Sequence, residues 1–196
     1  VYDVPVGAEG SLVVEEAAWR RIEATTVLER LGDRVLPASG AEEAEALMRR
    51  RLDHLPEEVE SSPGYLVKDG VVELLEKLII DGKMLGLTTG NVEEAAHIKL
   101  SRANLNRFFC FGGYGSDSPD RTELTKKALE RGKLVSGRTL DLARCFSCGD
   151  TPRDVEAGHG AGLRVVGVAT GEYSAEELLE AGADAVVRSL REGLPY

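Results

Sequence analysis

The sequence predicts an α/β fold of the doubly wound class, in which a Rossmann-like parallel sheet lies between two layers of helices. Short apolar runs alternate with longer helical patterns through the last two-thirds of the chain. Capping residues stand where several of these helices should begin. With 42% hydrophobic and 30% charged residues among 196, the chain also has the composition of a folded protein with a substantial core.

Apolar runs bounded by turn residues predict the strands of this sheet. They are Met84–Thr88, Phe108–Phe111, Cys145–Cys148, Arg164–Val168 and Ala185–Val187. The helices between them are expected to begin at capping boxes, formed by Asn91 with Glu94, Thr151 with Asp154, and Ser174 with Glu177. Pro119 and Pro152 are expected at the first helical position, which tolerates the missing N–H.

Residues 1–64 predict a helical, cap-like module in front of an α/β core at residues 65–196. Glu15–Leu31 and Ala41–Leu55 are amphipathic helical stretches with no strand pattern between them. Pro56 follows the second stretch and should end it, and Glu57–Gly64 is expected to be a polar link.

The charge balance favours small-molecule chemistry. The chain has 24 Lys and Arg against 34 Asp and Glu, a net charge of −10, which opposes binding to nucleic-acid phosphates or anionic lipid. No apolar run approaches the roughly 20 residues of a membrane span. Three cysteines, two of them in a strand-like run, suit a reducing cytoplasm. The oligomeric state stays open.

Thr89-Gly90-Asn91 follows the first predicted strand of the core and is a candidate anion site. In open parallel sheets, ligands bind beyond the carboxyl ends of the strands, and helix N-termini favour anions. A hydroxyl, a flexible glycine and a helix start therefore predict phosphate binding. The alternative is structural: Thr89 ends the strand and Asn91 caps the helix.

Gly149-Asp150 and Asp154 follow the third predicted strand and are candidate Mg²⁺ ligands. Asp150 stands at the strand tip and Asp154 one helical turn later, so both carboxylates can converge on one point. Mg²⁺ is held by one or two carboxylates together with waters and substrate phosphate. Alternatively, Asp154 completes a capping box with Thr151, which leaves Asp150 unexplained.

Arg121 is a candidate phosphate ligand because a cation in the first turn of a helix opposes the helix dipole unless an anion lies nearby. The alternative is a surface arginine that pairs with Asp117 or Asp120.

Other reactive residues indicate structural roles. Cys145 and Cys148 form a C-x-x-C pattern, but on a strand they face opposite sides. The histidines are far apart in sequence and lack metal-ligand spacing: His54, His97 and His159.

Taken in order, these segments resemble the haloacid-dehalogenase-like hydrolase superfamily, and within it the phosphoglycolate-phosphatase-like members with a helical cap. The resemblance runs from about Asp69 to Leu190. It implies that Thr89, Gly90 and Asn91 bind phosphate, that Arg121 offsets charge on the nucleophile and the transferred group, and that Asp150 and Asp154 hold Mg²⁺. Both Arg121 and Asp150 thereby become catalytic residues.

In that family an aspartate at the tip of the central strand attacks phosphorus, and the aspartyl-phosphate is then hydrolysed. The family's Asp-x-Asp-Gly-Thr motif is absent from this sequence, and the nearest candidate nucleophile is Asp3, with Pro5 in place of the second aspartate. The family's central strand lies between the strands that end at Thr88 and Cys148. Its omission would leave two unpaired inner edges, so the strand is expected upstream of Val1 or lost from the gene.

The resemblance therefore implies a cytoplasmic, Mg²⁺-dependent phosphatase acting on a small phosphorylated metabolite such as phosphoglycolate, with its nucleophile outside the sequence. The first alternative is a phosphate- or nucleotide-binding protein that has lost the chemistry. The second is a 2-haloacid dehalogenase, which would not need the metal that Asp150 and Asp154 indicate.

Overall fold

The computed structural model describes the backbone of residues 7–8, 13–14 and 41–195, with side chains from residue 47 to residue 195. The strands are β1 (Gly7–Ala8), β2 (Val13–Val14), β3 (Leu66–Val67), β4 (Gly86–Thr89), β5 (Phe111–Tyr114), β6 (Phe146–Gly149), β7 (Arg164–Val168) and β8 (Ala185–Val187). The α-helices are α1 (Ala41–Ser61), α2 (Val71–Ile80), α3 (Glu93–Ser101), α4 (Arg121–Ser136), α5 (Pro152–Gly160) and α6 (Ala175–Glu180).

Every strand pair in this part of the chain is parallel, which confirms the predicted fold class. The strands pair in the orders β1-β3, β2-β4-β5 and β6-β7-β8, and helices connect the successive strands of the core. Strand β7 is deeply buried, and its Val165, Val166 and Val168 are at most 2% exposed. Strands covered by helices on both faces have such continuous apolar sequences, and β7 keeps its predicted bounds, as does β8 beside it.

The inner edge of β4 has a neighbour, contrary to the sequence expectation. Val13 pairs with Thr88 and Val14 with Thr89, both in parallel register. Strand β2 also approaches β6, although no ladder joins the two. A short β-branched pair is suited to extended structure, although the sequence predicts a helical cap-like module for this segment.

Three predicted strands begin later than expected, and β6 is one of them, since it starts at Phe146 instead of Cys145. Strand β4 starts at Gly86 instead of Met84, and β5 starts at Phe111 instead of Phe108. Residues Leu105–Phe108 form a 3₁₀-helix whose Phe108 ring is buried in the core. An apolar run therefore marks burial here but not extended backbone.

The expected helix starts are partly correct. Capping boxes form at Thr151 with Asp154 and at Ser174 with Glu177, and Pro152 is the first residue of α5. The predictions for Asn91 and Pro119 are wrong. Helix α3 begins at Glu93 without a side-chain cap, and α4 is capped by Asp120, whose Oδ1 accepts from the Glu123 N–H at 3.0 Å.

Helix α1 does not end at Leu55; it continues through Pro56 to Ser61. An internal proline costs a helix about 3 kcal/mol. Burial offsets that cost, because Leu55 and Val59 are each 2% exposed and pack on Ala95 of α3. The polar appearance of the segment after Pro56 concealed this apolar stripe.

Arg102 fastens the end of α1 to α3. Its Nη1 donates to the carbonyls of Val59 and Ser62, both at 2.7 Å, and its guanidinium lies 4.7 Å from the centre of the Tyr65 ring. The Tyr65 hydroxyl in turn donates to the carbonyl of Lys99 at 2.8 Å. The first described helix is thus anchored to the helix that follows Thr89. None of the helices in residues 41–195 is long and apolar enough to cross a membrane.

We expect Gly113→Ala to destabilise the protein by about 1–3 kcal/mol, as overpacking does in well-packed cores. A Cβ at Gly113 would lie 2.0 Å from the carbonyl oxygen of Leu124, where α4 crosses β5. Urea denaturation measures the change. Gly132→Ala is the matched control, since its Cβ would meet the Phe111 ring at 3.1 Å and a helix gains from the loss of glycine. Equal stability of the two variants would contradict this packing.

Candidate active site

Thr89 ends β4, and its hydroxyl takes part in a local hydrogen-bond network. The residue is 1% exposed, and its Oγ1 accepts from the backbone N–H of Asn91 at 3.1 Å and from the Asn91 Nδ2 at 2.9 Å. Asn91 therefore orders the strand-to-helix turn through Thr89 instead of capping α3.

Lys99 joins the same network, although the motifs of the sequence do not include it. Its Nζ donates to Asn91 Oδ1 at 2.6 Å, although the residue is 7% exposed. The sequence carried one signal: Ala95, Ala96, Lys99 and Leu100 make up the buried stripe of α3, and a lysine in such a stripe needs a polar partner.

The turn after β6 brings Asp154 back onto the strand. Asp154 Oδ2 accepts from the Thr151 backbone N–H at 3.1 Å and from Thr151 Oγ1 at 2.9 Å. A Cβ at Gly149 would lie 2.2 Å from Asp154 Cβ, so the glycine makes room for this carboxylate. Asp154 thus completes a capping box with Thr151, which is the structural role that the sequence predicts as the alternative to metal binding.

Asp154 has a second partner in Arg121, which begins α4. The guanidinium Nη1 donates to Asp154 Oδ1 across the space between α4 and α5, and the two side chains are 12% and 1% exposed. The surface alternative for Arg121 is therefore wrong. Asp117 pairs instead with Arg131, and Asp120 caps α4.

Thr89, Arg121 and Asp154 line one small cavity, which lies between β4, β6 and the helices α4 and α5. Its walls include Thr88, Thr89, Gly90, Arg121, Ser147 and Asp154. The structure therefore brings the hydroxyl, the guanidinium and one of the two predicted carboxylates together. Asp150 is 2% exposed at the end of β6, where a Cβ at Gly171 would come within 2.6 Å of its Oδ2.

Solved structures share this arrangement of strands and helices. A predicted phosphatase from Clostridium acetobutylicum is 25% identical over 63% of this chain and 56% of its own length, with a TM-score of 0.52. A haloacid dehalogenase-like hydrolase from Streptococcus pneumoniae is 18% identical over 81% of this chain and 70% of its own, with a TM-score of 0.59. CbbY from Rhodobacter sphaeroides, solved in complex with phosphate, is 19% identical over 80% and 67%, with a TM-score of 0.60.

The chain thus spans little more than half the length of the first of these structures. Residues 121–193 match the family model described as HAD-hydrolase-like, and this segment holds Arg121, Asp150 and Asp154. The described body has the haloacid-dehalogenase-like fold. The resemblance to the haloacid-dehalogenase-like superfamily is therefore confirmed at the level of the fold. No curated protein matches the chain.

The carboxylates of this haloacid-dehalogenase-like body have the donor chemistry for Mg²⁺. Residues 47–195 contain no group of three or more His, Cys, Asp or Glu side chains that could hold a metal together. Mg²⁺ needs only one or two protein carboxylates when waters and a substrate phosphate complete its shell. The pKa of the Asp154 carboxyl group lies above its ordinary value. Burial raises it by more than Arg121 and the hydrogen bonds from Thr151 lower it. A nearby divalent cation would favour its ionised form.

The cysteines of the C-x-x-C pattern and His97 have local structural roles. Cys145 and Cys148 are free thiols, and burial raises the pKa of Cys148 to about 12. His97 lies between Asn106 Oδ1 at 2.9 Å and the Tyr114 hydroxyl at 3.3 Å. Asp3 lies outside the described residues.

Asp117 fixes the loop between β5 and Arg121. Its carboxylate accepts two bonds from Arg131, at 2.6 and 2.7 Å, and one from the Tyr114 backbone N–H at 2.9 Å. The Arg131 guanidinium, followed by this N–H bond, holds the pKa of Asp117 below its ordinary value. Folding therefore favours the ionised form of Asp117.

We expect Asp117→Asn to lower the free energy of unfolding at pH 7 by about 1–3 kcal/mol, the range for hydrogen bonds to charged groups. Because the folded-state pKa is the lower one, the contribution is complete above the unfolded pKa of about 3.9 and disappears as the pH falls through the folded pKa. Urea titrations of both proteins at pH 7 and pH 3 measure this. A difference that is equally large at pH 3 would contradict the prediction.

Proposed function

We propose that this chain carries the phosphate and metal sites of a Mg²⁺-dependent phosphatase that acts on a small phosphate monoester, in the manner of phosphoglycolate phosphatases. The observation that carries the proposal is the cavity that Thr89, Arg121 and Asp154 share. The phosphate complex of CbbY, which has this fold, supports the same ligand class.

Thr89, Gly90 and Asn91 would bind the transferred phosphoryl group. The Thr89 hydroxyl is a hydrogen-bond donor, which suits a phosphate oxygen, and Gly90 lines the same cavity. Asn91 would act through Thr89, because its backbone N–H and its Nδ2 both donate to the threonine oxygen. Arg121, which lines the same cavity, would add a positive charge that offsets the negative charge developing during transfer. Because Thr89 and Asp154 are almost fully buried, these interactions act where water screens them little.

Asp150 and Asp154 would hold Mg²⁺ beside the bound phosphate. When bound, the ion supplies positive charge that stabilises and orients the phosphoryl oxygens. Asp154 also orients Arg121 and the Thr151 turn, so its role combines metal binding with the positioning of a phosphate ligand. Arg121 and Asp150 are the residues that we expect to act on the reacting group.

We extend the proposal to the surroundings of the site. Residues 1–64, of which α1 is the described helix, would contribute a cap that helps to exclude water and select the substrate. The partner would be a small phosphorylated metabolite, without nucleic acid or membrane. Free thiols suit a reducing compartment, so we place the protein in the cytoplasm.

A phosphate-binding protein without phosphatase activity is the second candidate, and the register of β2 favours it. Val14 pairs with Thr89 in the place beside β4 where the family's nucleophile strand is expected. A valine, which has no nucleophilic group, therefore stands level with the phosphate-binding threonine. The proposed phosphatase needs a carboxylate from outside the described residues.

Two measurements on the chain test the proposal. We expect calorimetry in MgCl₂ to show binding of inorganic phosphate, and we expect residues 1–196 to release little or no p-nitrophenol from p-nitrophenyl phosphate. Release abolished by Asp3→Asn would identify Asp3 as the nucleophile.

The coding sequence upstream of Val1 separates the two candidates. An apolar run ending in Asp-x-Asp there supports the enzyme, and its absence supports the binding protein. Absence of phosphate binding would overturn both candidates.

A further inference from the structure

We propose that Lys99 is a positioning residue of the anion site: through Asn91 it fixes the Thr89 hydroxyl as a hydrogen-bond donor to the bound anion. This inference rests on the proposed phosphate site and names a residue that the site's motifs do not include. Lys99 lies in α3, eight positions after Asn91, and reaches back to it along the helix.

The three side chains form a directed chain of hydrogen bonds. Lys99 Nζ donates to Asn91 Oδ1 at 2.6 Å, and Asn91 Nδ2 donates to Thr89 Oγ1 at 2.9 Å. All three residues are held on one short stretch of backbone, because Thr89 ends β4 and Lys99 lies in the next helix. The ammonium group therefore acts on the threonine through a single amide.

The ammonium group decides which way the Asn91 amide points. A lysine ammonium can donate hydrogen bonds but cannot accept them, so the amide must turn its oxygen toward Lys99. That orientation leaves the amide nitrogen facing Thr89. Without the positive charge the amide could rotate, since its oxygen and nitrogen ends have nearly the same shape.

The amide orientation then determines the direction of the Thr89 proton. A hydroxyl has two acceptor lone pairs and one proton to donate. Both lone pairs of Thr89 are used, one by the Asn91 backbone N–H at 3.1 Å and one by Nδ2. The O–H is thus left as a donor, and no acceptor for it occurs among residues 47–195. Because Thr89 lines the cavity with Arg121, an anion there would be that acceptor.

The burial of Lys99 favours this role over a merely structural one. A lysine on the helix surface would gain little from such a contact, whereas this residue is 7% exposed and its desolvation must be compensated. Its backbone carbonyl accepts from the Tyr65 hydroxyl, which holds α3 in place independently of the ammonium. Loss of the charge should therefore affect the anion site more specifically than loss of the helix would.

A double-mutant cycle with inorganic phosphate as the probe tests the relay. In calorimetry with the full chain, we expect Lys99→Met and Thr89→Val each to weaken phosphate binding about 10-fold, equivalent to about 1.4 kcal/mol. If Lys99 acts through Thr89, the double variant should bind no more than about 2-fold more weakly than Thr89→Val alone. Lys127→Met, at an exposed lysine of α4 that pairs with Glu130, is the control and should leave the affinity unchanged.

The outcomes separate this inference from the function on which it rests. Multiplicative losses in the double variant, or an unchanged affinity in folded Lys99→Met, would overturn the role of Lys99 and leave the phosphate site intact. If Lys99→Met does not fold, Asn91→Asp replaces it, since aspartate keeps the acceptor for Lys99 and removes the donor to Thr89. The Asn91→Asp variant should also bind phosphate about 10-fold more weakly than the wild type. Wild-type affinity in this variant would overturn the relay. Wild-type chain that binds no phosphate would overturn the proposed function and the relay together.

Discussion

Replacing Arg121 by methionine is expected to weaken inorganic phosphate binding by about 10- to 100-fold, the range for a charged hydrogen bond. The same change should lower the free energy of unfolding by about 3–5 kcal/mol, because it leaves the buried Asp154 carboxylate without its cation. Both effects have one structural cause: Arg121 lines the proposed phosphate site and also pairs with the buried Asp154. Calorimetry and urea denaturation measure the two effects separately.

The double variant Arg121→Met with Asp154→Asn is the matched control. Asparagine removes the buried charge while it keeps an oxygen for Thr151, so most of the lost stability should return. Phosphate binding should stay weak, since the guanidinium is still missing. Recovery of phosphate affinity in the double variant would show that Arg121 serves only to neutralise Asp154.

Asp150→Asn is expected to remove Mg²⁺ binding to the chain, because an amide oxygen lacks the charge that a hard divalent cation requires. The substitution preserves the shape of the side chain, which matters because Gly171 lies against Asp150 Oδ2. Any Mg²⁺-dependent release of p-nitrophenol, including release by a longer chain that carries a nucleophile, should disappear with it.

Titration calorimetry with MgCl₂ measures the loss of Mg²⁺ binding in Asp150→Asn. The exposed Asp53 of α1 provides the control, and Asp53→Asn should bind Mg²⁺ as the wild type does. Unchanged Mg²⁺ affinity in folded Asp150→Asn would exclude Asp150 as a ligand and leave Asp154 with the capping role seen in the structure.

The parts of the fold that local pattern determines could be predicted from the sequence. Strand β7 and two capping boxes appear where the sequence places them, because a buried parallel strand and a capped helix each need particular residues at fixed spacing. The helix through Pro56 could not be predicted, since tertiary burial of Leu55 and Val59 offsets a local penalty. Likewise, the pairing of Val13–Val14 with β4 depends on a partner far along the chain.

The candidate site shows the same division. The motifs predicted that Thr89 and Arg121 lie close together, because segments that follow parallel strands meet at one edge of the sheet, and both residues line one cavity. They did not give the direction of each side chain. Asn91 turns toward Thr89 instead of capping α3, and Lys99 enters the network only because α3 buries that face.

A crystal structure of the chain grown with MgCl₂ and inorganic phosphate tests the site most directly. We expect one phosphate within about 2.6–3.2 Å of the Thr89 hydroxyl and the Arg121 guanidinium, with Mg²⁺ between that phosphate and Asp150. Phosphate bound at another surface, or Mg²⁺ with no contact to Asp150, would contradict the proposed site.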